Sequence, residues 1–264
     1  GKATEVQKKV ILSLARSDCT SIWHTGDIVY PSGINTIEDP LYSKNFLVPF
    51  KEILEKKVPI FLTLGNHDHK KNPKAYLQAN NNNELVNFPN NFYRKKFGDL
   101  CFLALDTTIF DKMYMFNQRR SHIEWLNEVK ELFKNSCKFS LAVGHHPFFS
   151  SGDRKKASPQ LGIFLQNHIF GSFDVYISGH NHVLADEGER LGTRQLISGS
   201  GSVPGGSPNQ PLSNRFNQEN PGYLKFRFFL EKGEIIGRYE FVEAGTDKIL
   251  WSNYKVGKGI RFNQ

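Results

Sequence analysis

The chain has 264 residues, enough for one large domain with a substantial core. Hydrophobic residues make up 39% and charged residues 23%, which is ordinary for a globular protein and excludes an intrinsically disordered chain. No apolar run approaches the roughly 20 residues that cross a bilayer. The net charge of +8 would attract anionic ligands. We nevertheless expect no nucleic-acid or membrane partner, because no basic stripe interleaved with aromatic residues occurs.

The first half of the chain predicts alternating helices and strands. Apolar residues at helical spacing predict one helix over residues 5–16 and another over 41–57. Apolar runs at 19–25 and 59–64 predict buried strands, and each of these runs leads into a polar segment. Polar motifs therefore follow the carboxyl ends of strands, where α/β folds place their ligands.

The second half adds a hairpin, further helices and a β-rich end. The predicted elements are hairpin strands over 92–97 and 100–105, helices over 121–134 and around 161–169, strands over 139–143 and 175–177, and meander strands over 223–230, 234–242 and 248–254. The Gly-, Ser- and Pro-rich stretch 199–222 is either a flexible connection or a lid, and we favour the lid. No repeat or linker stands out, so residues 1–264 are expected to form a single domain.

The three cysteines, Cys19, Cys101 and Cys137, lie in or beside apolar runs and form no CxxC pair. We expect buried, unpaired thiols, because free cysteine is among the most frequently buried residue types. The alternative is one disulfide plus one free thiol.

Four polar segments carry most of the functional information. Their patterns are Gly-Asp-x-x-Tyr, Gly-Asn-His-Asp, Gly-His-His-Pro and Gly-His-Asn-His, at residues 26–30, 65–68, 144–147 and 179–182. Turn chemistry explains any one of them, but it does not explain all four in this order after strand-like runs. Together they supply the donor groups that two neighbouring metal ions require.

Each donor type has a physical reason to be there. The carboxylate of Asp27 can bridge two cations at a separation of roughly 3.5–4 Å. Tyr30 points to a trivalent ion, since a phenol with a pKa near 10 ionises only beside a strongly polarising cation such as ferric iron. A neutral amide oxygen is a hard donor that adds no charge, and neutral imidazoles suit transition metals and zinc better than magnesium or calcium. These donors are Asn66, His145, His180 and His182.

The order of these motifs resembles the metallophosphoesterase superfamily. The tyrosine three residues after the aspartate resembles the purple acid phosphatases, and the chain length is similar to their small, tartrate-resistant type. Further segments similar to that group are 65–69, 87–94, 105–107 and 222–224. The resemblance implies an α/β fold, a four-layer α/β/β/α sandwich of two mixed β-sheets flanked by helices.

The resemblance also implies an acid phosphatase that hydrolyses phosphate monoesters with metal-bound hydroxide as the nucleophile. The iron(III) site would use Asp27, Tyr30 and His182. The divalent site would hold Fe, Zn or Mn on Asp27, Asn66, His145 and His180. Substrates would be small phosphorylated compounds or phosphoproteins, and we expect a monomer. A secreted, periplasmic or lysosome-like setting fits the family, although the residues themselves do not give the compartment.

Three further residues receive roles from the same resemblance. His67 would be the general acid that protonates the leaving group, with Asp68 orienting its imidazole. His146 follows a metal ligand and would contact substrate phosphate, or alternatively pack against the site.

The basic cluster Arg154, Lys155 and Lys156 could reach substrate phosphates, but we favour a solvated loop.

The chain departs from the family's pattern at its start. Family members begin with a buried strand ending in Asp-x-Gly, whose aspartate completes the iron site, and Asp18 does not match it. We expect this segment upstream of residue 1. The alternative is an impaired version of the enzyme that lacks the Asp-x-Gly segment. Two other functions stay open: a phosphodiesterase or nucleotide hydrolase on the same fold, and a metal-poor pseudoenzyme that acts as a binding protein.

Overall fold

The computed structural model describes residues 1–112, 115–151, 157–205 and 216–261. The strands in these ranges are β1 (Ile22–His24), β2 (Ile60–Leu62), β3 (Val86–Asn87), β4 (Tyr93–Phe97), β5 (Leu100–Ala104), β6 (Phe139–Val143), β7 (Val175–Ser178), β8 (Leu184–Arg190), β9 (Thr193–Ser198), β10 (Asn217–Gln218), β11 (Gly222–Glu231), β12 (Glu234–Glu243) and β13 (Ile249–Val256). The α-helices are α1 (Glu5–Arg16), α2 (Pro40–Tyr42), α3 (Lys51–Glu55), α4 (Ala79–Asn82), α5 (Thr108–Asp111), α6 (Phe116–Phe133) and α7 (Pro159–His168). Two 3₁₀ turns (Asp68–Lys70 and Pro73–Gln78) and a π-helical turn (Ser43–Leu47) complete the described elements.

The strands form three hydrogen-bonded sheets. The largest has seven strands in the order β10-β8-β9-β7-β6-β5-β4, with a parallel centre and antiparallel edges. The sheet β1-β2-β3 is parallel, and the sheet β11-β12-β13 is antiparallel. β1 and β11 are each an edge strand of their own sheet.

These sheets stack between helices as the predicted four-layer sandwich. Helices α6 and α7 cover one face of the seven-stranded sheet, and α1 and α3 cover the β1-β2-β3 sheet. Aromatic side chains join the two β layers, since the Trp23 ring stacks on Phe102 with centroids 4.9 Å apart. Phe139 and Phe228 pack edge to face across the same boundary, with centroids 5.2 Å apart. The four-layer α/β/β/α arrangement is therefore confirmed, with the smaller layer divided into two three-stranded sheets.

The helix predictions are confirmed unevenly. Helix α1 has the predicted bounds, and the Thr4 side chain caps it by accepting a hydrogen bond from the Gln7 amide. The prediction of a single helix over residues 41–57 is wrong, because the structure has three separate elements there: α2, the π-helical turn and α3. The division falls at Pro49, which lacks an amide hydrogen and disfavours helical backbone at the residue before it.

The structure also corrects the expectation of three unpaired thiols. Cys101 and Cys137 form a disulfide with their Cα atoms 5.8 Å apart, and Cys19 is a free, half-buried cysteine. The bridge joins Cys101 in β5 to Cys137, which lies just before β6. Strands β5 and β6 are parallel neighbours in the seven-stranded sheet. The alternative of one disulfide plus one free thiol is the correct one.

No helix within the described ranges combines the length and the apolar composition that crossing a membrane requires.

Candidate metal centre

The first ligand loop follows β1 and turns sharply at Gly26 and Asp27. Both residues have left-handed backbone, with φ angles of 91° and 55°. A Cβ atom on Gly26 would lie 2.6 Å from His145 Nδ1, so glycine is required for the imidazole to approach this closely. The turn therefore places the Asp27 side chain beside the loop that follows β6.

One oxygen of Asp27 lies between two groups of donors. The Tyr30 hydroxyl donates to Asp27 Oδ2 at 2.7 Å, and the same hydroxyl lies 3.4 Å from His182 Nε2. On the other side, His145 Nε2 lies 3.5 Å from Asp27 Oδ2. The second oxygen, Oδ1, accepts a hydrogen bond from the His67 amide at 2.9 Å. Asp27 thus occupies the shared position that a bridging carboxylate needs.

The second group of donors converges on one point. Asn66 Oδ1 lies 3.1 Å from His145 Nε2 and 3.2 Å from His180 Nδ1, and the two ring nitrogens are 3.2 Å apart. His145 Nδ1 lies 2.7 Å from the Thr25 carbonyl oxygen and donates to it, so the lone pair of Nε2 faces the cluster. An amide oxygen and two imidazole nitrogens facing one another fit a bound metal ion. The residues present therefore fit the metal ions that the family implies.

The charges of Asp27 and His145 depend on each other. Burial by itself would raise the pKa of the Asp27 carboxyl, but the nearby His145 ring and the hydrogen bonds from Tyr30 and His67 hold that pKa well below its usual range. Burial opposes protonation of His145, yet the Asp27 carboxylate outweighs burial and raises the pKa of the imidazole. The site consequently keeps an anionic carboxylate in a buried position, as a cation site requires.

His146 lies in the same cluster of imidazoles. One ring nitrogen from each of His145, His146 and His180 falls within 4.8 Å of the others, which makes this trio a possible metal site. His146 Nδ1 lies 3.0 Å from Thr107 Oγ1, and burial together with the two neighbouring histidines lowers the pKa of His146 well below its usual value. Its predicted contact with substrate phosphate stays a prediction.

His67 is half-buried and lies next to the Tyr30 ring, with ring centroids 4.2 Å apart. His67 Nδ1 lies 2.5 Å from the Pro31 carbonyl oxygen, to which it can donate, and 3.1 Å from Lys70 Nζ. The Nδ1 position is therefore engaged by Pro31, which leaves Nε2 as the atom that could give a proton to a substrate.

The structure corrects the role predicted for Asp68. Its fully buried carboxylate accepts hydrogen bonds from the Ile28 amide (3.0 Å), the Gly65 amide (2.9 Å) and the Tyr76 hydroxyl (2.9 Å), and His67 is not among these donors. A buried carboxylate needs strong donors, and the backbone amides of both ligand loops supply them. Burial, followed by the nearby Asp27 charge, raises the pKa of Asp68. Asp68 thus ties the Asp27 loop to the Asn66 loop rather than orienting His67.

Two other supports of the site received no role from the sequence. Thr107 Oγ1 accepts from the backbone amides of His145 and His146, both at 3.2 Å, and so fixes the start of that loop. Buried His69 Nε2 lies 2.9 Å from both oxygens of Asp106. His69, Asp106 and Thr107 belong to segments that resemble the family, but the sequence assigned them no individual role, because their pairing depends on contacts between distant loops.

Two predictions fall outside the described residues. The basic cluster Arg154, Lys155 and Lys156 lies within 152–156, and the centre of the proposed lid lies within 206–215.

Comparison with known proteins finds a matching family model and several named relatives. Residues 5–184 match the family model described as calcineurin-like phosphoesterase. Tartrate-resistant acid phosphatase type 5 of Homo sapiens is 25% identical over 250 residues, covering 85% of this chain and 72% of that protein. Purple acid phosphatase 3 of Arabidopsis thaliana is 26% identical over 234 residues, covering 78% of this chain and 62% of that protein.

Solved structures share the fold. GAP50, described as the anchor in the inner membrane complex of Plasmodium, superposes with a TM-score of 0.78 at 20% identity, covering 100% of this chain and 86% of that one. A dimetal phosphatase from Danio rerio gives a TM-score of 0.54 at 14% identity, covering 95% and 88%. At these identities the likeness concerns the fold alone.

Proposed function

The chain belongs to the calcineurin-like phosphoesterase family and, with acid phosphatases among its relatives, is a hydrolase; we propose that it is an acid phosphatase acting on phosphate monoesters. The proposed centre holds iron(III) on Asp27, Tyr30 and His182 and a divalent Fe, Zn or Mn ion on Asp27, Asn66, His145 and His180. The observation that carries the proposal is the position of Asp27 Oδ2, 2.7 Å from the Tyr30 hydroxyl and 3.5 Å from His145 Nε2. The likeness to tartrate-resistant and purple acid phosphatases supports it.

The side chains around the centre have distinct tasks in this proposal. Bound metal ions would supply an activated nucleophile and neutralise charge on the phosphoryl oxygens. His67 donates a proton from Nε2 to the leaving oxygen, while its Nδ1 is held against the Pro31 carbonyl. His146 faces the phosphate from the buried side, where its lowered pKa keeps it neutral. Small phosphorylated compounds and phosphoproteins are the proposed substrates, and the proposed active form is a monomer.

Monoesters and diesters distinguish this proposal from a phosphodiesterase on the same fold. We expect the metal-loaded protein to hydrolyse p-nitrophenyl phosphate with a kcat/KM at least about tenfold above that for bis(p-nitrophenyl) phosphate, a difference of about 1.4 kcal/mol in the activation barrier. Initial rates followed by nitrophenolate release measure both. The order of the two values would be reversed for a diesterase or nucleotide hydrolase.

Tyr30→Phe tests the ferric assignment by colour instead of rate. A phenolate bound to iron(III) absorbs visible light, and phenylalanine cannot supply that ligand, so the variant should lose the visible band. Much of the hydrolysis should persist, because Asp27 and His182 still hold the ion. Absorption spectra and iron content of both proteins, purified in parallel, measure this. An iron-containing protein whose spectrum is unchanged by Tyr30→Phe would refute the assignment.

A binding protein without catalysis is the competing function. GAP50 shares this fold and is described as an anchor, which is the observation that favours a binding role. The converging donors Asn66, His145 and His180 favour catalysis, since a pure scaffold has no need of them. Metal analysis of the purified protein distinguishes the two functions. The enzyme is expected to hold close to two ions per chain, whereas a metal-poor binding protein would hold less than one.

A further inference from the structure

The ligands proposed for the divalent ion come from two different sheets. Asn66 follows β2 in the β1-β2-β3 sheet, whereas His145 and His180 follow β6 and β7 in the seven-stranded sheet. Backbone hydrogen bonds fix the spacing of neighbouring strands within one sheet, but they do not fix the position of one stacked sheet against another. Asn66 Oδ1 nevertheless lies 3.1 Å from His145 Nε2. Other contacts therefore have to hold the Asn66 loop and the His145 loop at this distance.

One such contact comes from Thr107, just after β5. The Leu105 amide donates to the carbonyl of the last residue of β6 at 2.8 Å, so the chain is still paired with β6 as it leaves β5. Thr107 Oγ1 then accepts hydrogen bonds from the backbone amides of His145 and His146, both at 3.2 Å. The threonine hydroxyl thus fixes the backbone of the His145 loop.

The preceding residue, Asp106, makes the corresponding contact with the Asn66 loop. His69 Nε2 lies 2.9 Å from both carboxylate oxygens of Asp106 and donates to them. The His69 amide donates to the Gly65 carbonyl at 3.3 Å, which closes the turn that contains Asn66. The exposed fraction is 2% for the His69 side chain and 0% for that of Asp106, so water does not compete for the contact.

His69 and Asp106 depend on each other for their polar contacts. His69 Nδ1 is buried and has no hydrogen-bond partner in the described part of the chain. In the same residues, no donor other than His69 is hydrogen-bonded to the Asp106 carboxylate. Because unpaired buried polar groups are destabilising, this pair favours a single arrangement of the two segments that carry it.

We propose that Asp106 and Thr107 form a spacer that sets the distance between Asn66 and His145 and thereby the affinity of the divalent site. The inference rests on the proposed function, since it takes Asn66 and His145 as ligands of that ion. Both spacer residues are positioning residues, because they act through the loops that carry the ligands. Groups that orient metal ligands in this way typically contribute about 10–100-fold to metal affinity.

The spacer should act on one metal ion and not on the other. The side chains proposed for the iron(III) site are Asp27, Tyr30 and His182, and within the described ranges no hydrogen bond joins them to the spacer. Loosening the spacer should therefore weaken binding of the divalent ion while iron and its phenolate colour remain. A general loss of packing would instead affect both ions.

Two single substitutions test the spacer in the iron-loaded 264-residue chain. Asp106→Asn replaces one of the two oxygens that face the His69 ring N–H by an amide NH₂, and Thr107→Val removes the hydroxyl that accepts from two amides. The probe is Zn²⁺, added after a chelator has removed the divalent ion. We expect each substitution to raise the Kd for zinc by about tenfold or more, with iron content and the visible band retained.

The double variant shows whether the two residues act as one unit. A spacer broken at either end is already lost, so the zinc Kd of the double variant should stay within about threefold of that of the weaker single variant. Two independent supports would give additive effects, a loss of about a hundredfold, which would contradict the proposal.

The matched control is Asp174→Asn. Asp174 is a fully buried carboxylate that accepts from the backbone amides of Ser140 at 2.9 Å and Gly259 at 3.0 Å, and it precedes β7, whereas the ligand loop follows that strand. This substitution should lower stability to urea but leave the zinc Kd within about twofold, because it removes a buried charge without touching either ligand loop.

The outcomes separate this inference from the proposed function. Unchanged zinc affinity in the folded single variants, or a parallel loss of zinc and iron, would overturn the spacer alone. If Asp106→Asn fails to fold by circular dichroism, the zinc and iron contents of Thr107→Val decide. An original chain that binds neither zinc nor iron would overturn the proposed function, and the spacer with it.

Discussion

Asp27→Asn is expected to lower kcat for phosphate monoesters by about three orders of magnitude, the upper end of the loss seen on removing one charge-stabilising group. Asparagine has the shape of aspartate, so the turn at Asp27 should persist. It lacks the negative charge that opposes the repulsion between two cations. The shared oxygen, 2.7 Å from the Tyr30 hydroxyl and 3.5 Å from His145 Nε2, could then bridge them only weakly. Kinetics with p-nitrophenyl phosphate and metal content per chain measure both effects.

The matched control for this variant is Asp99→Asn. Asp99 is exposed and pairs with Lys138 at 3.3 Å on the surface, so the substitution makes the same charge change away from the site. It should leave turnover and metal content within about twofold, since exposed ion pairs contribute little. An Asp27→Asn protein with more than a tenth of the original turnover and its full metal content would show that Asp27 is not the bridging group.

Reducing the Cys101–Cys137 disulfide is expected to lower the free energy of unfolding by about 4 kcal/mol. The bridge closes a loop with a sequence separation of 36 residues, and the loss of chain entropy in the unfolded state scales with the logarithm of that length. Urea unfolding with and without dithiothreitol, followed by circular dichroism, measures the difference.

Two variants separate the disulfide from other effects of the reductant. The double variant Cys101→Ala, Cys137→Ala should have the same stability with and without dithiothreitol, because it has no bridge to open. Cys19→Ala keeps the bridge and should respond to reductant as the original protein does, since Cys19 is free. If thiol labelling before reduction finds three free cysteines, the bridge and the stability prediction are both wrong.

Much of the metal centre could be predicted from the order of residues. Asp27 and Asn66 follow the parallel strands β1 and β2 of one sheet, and His145 and His180 follow the parallel strands β6 and β7 of another. Parallel strands bring their carboxyl ends to one edge of their sheet, so the two residues of each pair are expected to lie close together. The structure places Asn66, His145 and His180 within 3.1–3.2 Å of one another. The four-layer sandwich itself came from the family resemblance, because apolar periodicity distinguishes helix from strand but does not order the strands in a sheet.

Where the sequence predictions failed, a distant partner decided the outcome. Strand β8 (Leu184–Arg190) was not predicted, since its run contains the charged residues Asp186 and Glu187 and lacks apolar alternation. In the fold, buried Asp186 accepts hydrogen bonds from Arg194 at 2.7 Å and from the Tyr239 hydroxyl at 2.8 Å. These partners lie 8 and 53 residues away along the chain. The amino-acid sequence alone does not indicate that the buried Asp186 carboxylate has these hydrogen-bond partners.

The sequence by itself determined the chemical identity of the donors and the alternation of helix and strand, because both depend on residue type and local spacing. Only the tertiary structure decided that Cys101 pairs with Cys137, that Asp68 joins two ligand loops, and that Thr107 accepts from the amides of His145 and His146. Each of these depends on which distant segments become neighbours, and that is set by the packing of the whole chain.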